Sequence, residues 1–231
     1  ERINMLERLT EGVHSILAVP DEILLATWQT FVMVGISTVL GVLLGTVLGI
    51  YLFLTGKNQL FANPVLHHIL NASVNFMRAF PFVILMIALI PLTKIVVGKS
   101  IGPVAASFVL TVSAVFYFSR LVEQNLREVP RGMIEAAESI GAKPFTIIFK
   151  VLLSECRSSM VSSITVLAIS VLSYSAAAGM IGGGGLGDLA VRYGYYRFQT
   201  EFIVFIVAVL SILVILMQSI GNTIARKLDK R

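Results

Sequence analysis

Residues 23–56 read ILLATWQTFVMVGISTVLGVLLGTVLGIYLFLTG, with no charged side chain between Glu22 and Lys57. A helix needs about 20 apolar residues, each rising about 1.5 Å, to cross the hydrocarbon core of a bilayer. This run exceeds that need, which predicts tilt or an interfacial end. Trp28 and Tyr51 suit the two interfaces, where amphipathic rings sit best. Gly41, Gly45 and Gly49 recur every fourth residue and so share one face, open to close approach by another helix. Packing within one chain and a seam between two copies both fit that face.

The rest of the 231 residues repeats the pattern. Uncharged windows cover 79–93, 101–119, 158–187 and 202–225, and the first of these lengthens to Val97 if Lys94 snorkels to the interface. Five transmembrane helices are therefore predicted, at about 23–54, 80–97, 101–119, 158–180 and 202–222. Pro91 should kink the second, which follows an amphipathic run from Phe61 to Met77. The chain is 56% apolar and 13% charged, with a mean hydropathy of +0.88. A soluble domain carries about 25% charged residues, so this chain could not cover its own surface in water. The alternation of a β-barrel is absent, which leaves an all-α integral membrane protein. No short apolar core of a signal peptide stands in the first twenty residues.

Five spans put the two ends on opposite sides. Lys57, Arg78, Arg120, Arg127, Arg131, Lys143, Lys150, Arg157, Arg226, Lys227, Lys230 and Arg231 fall on one side, and Arg2, Arg8, Lys94, Lys99, Arg192 and Arg197 on the other. Basic residues gather on the cytoplasmic side. Residues 1–22 are then external, and the tail 226–231 is cytoplasmic. The net charge of +5 is thus a topology signal, and no basic domain for nucleic acid exists.

The chemistry inside the bilayer is sparse. No Asp, Glu, Lys or Arg lies near the middle of a span, which argues against a proton-driven carrier; a sodium site built from carbonyls escapes that test. The fourth span holds Ser159, Ser162, Ser163, Thr165, Ser170, Ser173, Tyr174 and Ser175, which fit either helix packing or the lining of a passage. His67 and His68 are adjacent and lack metal-ligand spacing, and Cys156 with three scattered His residues makes no catalytic set. Gly98-Lys99-Ser100 resembles the tail of a phosphate loop, but Thr93 stands where its first Gly belongs. Gly182, Gly184 and Gly187 match GxGxxG without a preceding strand, so that tract reads as a hinge or a close-contact loop.

The most charged stretch, 120–157, joins spans three and four. Its centre reads Pro130-Arg131-Gly132-Met133-Ile134-Glu135-Ala136-Ala137-Glu138-Ser139-Ile140-Gly141-Ala142-Lys143-Pro144. Pro130 is placed to start a helix, Gly141 to stop it, and Pro144 to prevent its continuation, giving a piece roughly 15 Å long. Met133, Ile134 and Ile140 are apolar, and so short a helix needs a surface to bury them. The bundle itself or another protein would serve.

Glu135-Ala136-Ala137, then Gly141, then Val151-Leu152-Leu153 resembles the EAA loop of ABC-importer permeases. The likeness runs from about Ala26 to Gly221. Arg78-Ala79-Phe80-Pro81-Phe82, Tyr174-Ser175-Ala176-Ala177-Ala178-Gly179 and Gly183-Gly184-Gly185-Leu186-Gly187-Asp188 are similar to the methionine-uptake branch. The family's Pro after the final Leu is Ser154 here, so the resemblance does not carry a break before the fourth span.

The resemblance implies a type I ABC importer permease fold over 23–225, in the bacterial inner membrane. It implies a homodimer in membrane lipid, two cytoplasmic ATPase subunits and an external substrate-binding lipoprotein. ATP and Mg would be bound by the ATPase, and this chain would need no cofactor. Glu135, Ala136, Ala137, Ser139 and Gly141 would form the coupling helix that meets the ATPase. Ser170, Ser173 and Tyr174 would line the path for D- or L-methionine. The same architecture could carry another small amino acid, and an ion-coupled carrier acting alone is the reading of a different class.

Overall fold

The computed structural model describes His14 and residues 16–229, and among them no strand occurs. Helix α1 spans Pro20–Thr55, with Pro20, Asp21 and Glu22 in its first turn. Proline is preorganised there and acidic groups favour a helix amino terminus. Helix α2 spans Pro64–Ala79, and the Asn63 side chain caps it by accepting from Leu66 N at 3.1 Å.

The single crossing predicted for 80–97 is two short helices, α3 (Phe82–Ala88) and α4 (Ile90–Val97). Pro81 drives Phe80 into extended backbone (φ −74°, ψ 129°), which ends α2 before α3 begins. Leu89 (φ −88°, ψ 0°) breaks the chain again, and Pro91 falls in the first turn of α4 rather than inside a helix. Helix α4 ends on Gly98, whose φ of 78° is a left-handed cap. Gly98-Lys99-Ser100 is therefore a helix stop.

Helix α5 (Pro103–Arg127) runs well past the predicted end at Ser119. Then come α6 (Arg131–Ser139), α7 (Pro144–Thr146), a wider π-type turn at Ile147–Leu152, and α8 (Leu153–Glu155). Cys156 (φ −88°, ψ 12°) separates α8 from α9 (Arg157–Ala178), so a break before the fourth span forms without the proline. A kink at Gly179–Gly183, where Ile181 (φ −115°, ψ 24°) and Gly182 (φ 86°, ψ 17°) leave helical backbone, is followed by α10 (Gly185–Leu189), a π-type turn at Ala190–Tyr195 and α11 (Thr200–Leu228). Among the described residues four helices are long and apolar enough to cross a membrane, and the bent pair α2–α3 makes up to five.

The chain forms two compact units. One gathers residues up to Ser37 with Phe82–Leu110 and Ser170–Leu216. Its core joins Ala26, Leu186, Leu189, Tyr193, Phe202 and Ile206, with the Tyr193 and Phe202 rings stacked at 4.5 Å. The first N–H groups of α10 have no capping side chain of their own. Instead Gly185 N donates to Gln29 Oε1 at 2.8 Å and Leu186 N to Thr30 Oγ1 at 2.9 Å. These bonds satisfy donors that lipid could not. Gly184 (φ 75°) and Gly185 (φ 80°) turn the chain into α10, so the glycine tract is a close-contact loop.

The other unit comprises Thr38–Pro81, Thr111–Ile169 and the chain from Met217. Here the Gly41, Gly45 and Gly49 face of α1 meets Ala114, Phe118 and Val122 of α5, so the stripe packs within the chain. In α9 and α11, Ser158 Oγ donates to Ala225 O at 2.9 Å, and Gly221 lies against Thr165. Small residues let backbones approach where lipid offers no hydrophobic drive.

Candidate functional site

The loop from α5 to α9 is built around α6. Met133 N donates to Pro130 O at 3.0 Å as the helix starts. At its far end Gly141 N donates to Glu138 O at 2.9 Å and Ala142 N to Ala137 O at 3.0 Å. With Gly141 at φ 75° this pair is a Schellman stop, and a left-handed residue is what it requires. The predicted start and stop of this helix both hold.

Helix α6 has two faces. Ile134 and Ala137 are buried, while Glu135, Ala136, Ser139 and Gly141 are exposed. Ala137 thus seats the helix on its own chain. Glu135 pairs with Arg131 at 3.4 Å, and Ser139 Oγ donates back to Glu135 O at 2.8 Å. Arg131 Nη2 also donates to Asn58 O at 3.2 Å, in a loop where Asn58 has φ 62°.

Ile140 is 85% exposed and Phe145 75%, although both are large and apolar. Phe149 and Met133 are exposed as well, and the rings of Phe145 and Phe149 lie parallel at 6.3 Å. The neighbouring Ile147, Ile148 and Leu152 point inward. Sequence reasoning missed Phe145 and Phe149. Their spacing of four is legible as one helix face, but only the burial of Ile147, Ile148 and Leu152 decides that this face turns outward.

The second predicted set lies on α9. Ser173 is exposed, Ser170 and Tyr174 are half-buried, and the spacing puts all three on one face. Tyr174 stacks on Phe82, the first residue of α3, at 4.9 Å and 10°. Other hydroxyls of this helix serve packing. Ser163 accepts from Asn125 Nδ2 at 2.9 Å, Thr165 bonds back to Val161 O at 3.0 Å and Ser175 to Leu172 O at 2.7 Å.

Elsewhere, Glu22, Asp188 and Tyr193 surround Arg192, and the Tyr193 hydroxyl donates to Glu22 at 2.9 Å. His67 Nδ1 lies 3.1 Å from Leu52 O, which fits a structural tie between α1 and α2. Among the described residues no group of His, Cys, Asp or Glu is arranged to hold a metal ion.

Residues 38–231 match the family of binding-protein-dependent transport system inner membrane components. The chain belongs to that family. It is similar to the probable D-methionine transport system permease protein MetI of Vibrio cholerae, with 46% identity over 91% of this chain and 94% of the relative. It is 44% identical to the methionine import system permease protein MetP of Bacillus subtilis over 78% of this chain and 81% of that one. Among solved structures, a MetNI methionine ABC transporter in an inward-facing conformation has a TM-score of 0.89 at 37% identity, over 90% of this chain and 97% of that one. An amino acid ABC transporter crystallised with histidines, at 16% identity and a TM-score of 0.76, shares the fold. As an inner membrane component of such a system, this chain is a transport subunit that spans the membrane several times.

Proposed function

We propose that this chain is the permease subunit of a bacterial ABC importer for methionine, D or L. The observation that carries this reading is the 46% identity, over nearly the whole length of both proteins, to a relative named for D-methionine transport. The permease domain covers residues 23–225. Two copies form the path, residues 1–22 lie outside, and residues 226–231 lie in the cytoplasm beside two ATPase subunits. ATP and Mg are bound by the ATPase. An external binding lipoprotein delivers the solute.

Helix α6 is the coupling helix. Glu135, Ala136 and Ser139 on its exposed face, with Ile140, Phe145 and Phe149, meet the ATPase. Ala137 and Gly141 hold the shape of the helix. Closure of the ATPase pair displaces α6, and the spans exchange inward-facing for outward-facing arrangements. Ser170, Ser173 and Tyr174 line the path, offering hydroxyls to a zwitterion that leaves water.

The test is uptake of labelled methionine into proteoliposomes holding the permease, its ATPase and its binding protein. Accumulation should require internal ATP and be competed by unlabelled methionine. A different winning competitor would keep the importer and discard methionine. Uptake by the permease alone, without ATPase, would overturn the reading in favour of an ion-coupled carrier.

A further inference from the structure

Among the described residues Glu123 is the one charged side chain that is buried, at 1% exposed. Two guanidinium groups hold it. Arg120 Nη1 lies 2.6 Å from Oε2, and Arg127 Nη2 lies 2.6 Å from Oε1. The other nitrogen of Arg120, Nη2, donates to Asn71 Oδ1 at 2.5 Å and to Asn75 Oδ1 at 2.7 Å. Those two asparagines stand four apart on one face of α2. Glu123 therefore fixes the guanidinium that grips α2 from α5.

Apolar packing does little to keep α2 in place, since Val74 is its one buried side chain. Its other ties include Arg78, over the Tyr117 ring at 5.9 Å, and His67, whose Nδ1 lies 3.1 Å from Leu52 O and 3.4 Å from Thr55 Oγ1. Charge-assisted bonds of this length hold only in the right geometry, whereas apolar surfaces slide. Stability alone does not call for such a group, because a well-packed apolar side chain often serves as well as a buried ion pair. The position is telling too. Arg127 ends α5, and only Glu128, Val129 and Pro130 separate it from α6. A displacement of α6 pulls first on the turn that Glu123 anchors.

We propose that Glu123 and Arg120 form a latch that transmits movement of α6 to α2. Glu123 is the anchor, Arg120 the grip, and Asn71 with Asn75 the catch. All four are positioning residues. The latch rests on the importer reading given above.

The experiment uses the assembled transporter in proteoliposomes and measures methionine uptake and ATP hydrolysis side by side. Asn71→Ala/Asn75→Ala removes the catch while the Arg120–Glu123–Arg127 cluster stays whole, so the fold is retained. Uptake per ATP hydrolysed should fall by roughly tenfold in this variant, with hydrolysis itself sustained. Glu123→Gln should lower the same ratio, and Arg120→Lys should fall between it and the wild type. If Glu123→Gln does not assemble, the asparagine pair decides. A ratio within about twofold of wild type for the asparagine pair would overturn the latch and leave the importer reading intact. Absence of ATP-driven uptake by the wild-type complex would discard both.

Discussion

Ala137 and Ile140 stand three residues apart at the end of α6, yet Ala137 is 8% exposed and Ile140 is 85% exposed. The helix turns its small side chain inward and presents the large apolar one to its surroundings. Exposed apolar side chains gathered in one place mark an interaction surface. The split assigns the two residues opposite roles.

Ile140→Ser with Phe145→Ser should weaken ATPase association by about 1–3 kcal/mol, the range for losing anchor side chains from an interface. The thermal midpoint of the isolated permease should not move. Titration of the purified ATPase onto detergent-solubilised variant checks the first point and a melting curve the second. Ala137→Leu should do the reverse, lowering the melting temperature through overpacking worth about 1–3 kcal/mol.

Gly141→Val places a β-branched residue at φ 75°. The left-handed region costs an ordinary residue about 1–2 kcal/mol. No atom lies within 4 Å of where the new Cβ would go, so the penalty is conformational, not steric. The α6 stop should fray, and ATPase association should weaken in the same titration. Gly141→Asn should lose less, because Asn tolerates that region.

Gly35 and Gly49 lie on the same helix and predict opposite results. A Cβ on Gly49 would stand 2.6 Å from Ser119 O and 2.6 Å from Val122 Cβ, whereas one on Gly35 meets nothing within 4 Å. Gly49→Ala should destabilise the folded permease by about 1–3 kcal/mol. Gly35→Ala should be neutral or raise stability by about 0.5–1 kcal/mol, since glycine weakens a helix interior. Thermal unfolding in one detergent separates the two.

Burial of Cys156 pushes its thiol up to about 11, from an ordinary value of 9.0. The thiolate is the nucleophile that adds to maleimide, so folded protein should label far more slowly at pH 7 than protein unfolded in detergent. A raised thiol favours the fold fully below pH 9, and that contribution is lost as pH rises towards 11. Labelling rates across that window check the direction, and rapid labelling at pH 7 would contradict it.

Much of this protein is legible in its residue order. Charge-free windows located α1, α5, α9 and α11, because a bilayer core rejects charge whatever the neighbours are. Pro130 and Gly141 marked both ends of α6, since ring closure and left-handed backbone are local properties. The EAA residues pointed to the family that residues 38–231 match. Arg120, Glu123 and Arg127 were visible as a spacing of three and four, but ending the third span at its first charge hid the buried carboxylate between them.

Tertiary structure alone decided the rest. Which hydroxyls of α9 serve packing depends on Asn125 and Gly221, distant in sequence from Ser163 and Thr165. The Gly41–Gly45–Gly49 stripe fitted packing within the chain or a seam between copies, and the contact with α5 decides for the first. Residues 82–97 had the composition of one span, yet they fold as two helices. Hydropathy measures transfer into lipid and fixes where a chain can cross, but it is blind to direction. The partner of each face depends on contacts between segments far apart in the chain, and no window along the sequence contains both sides of such a contact.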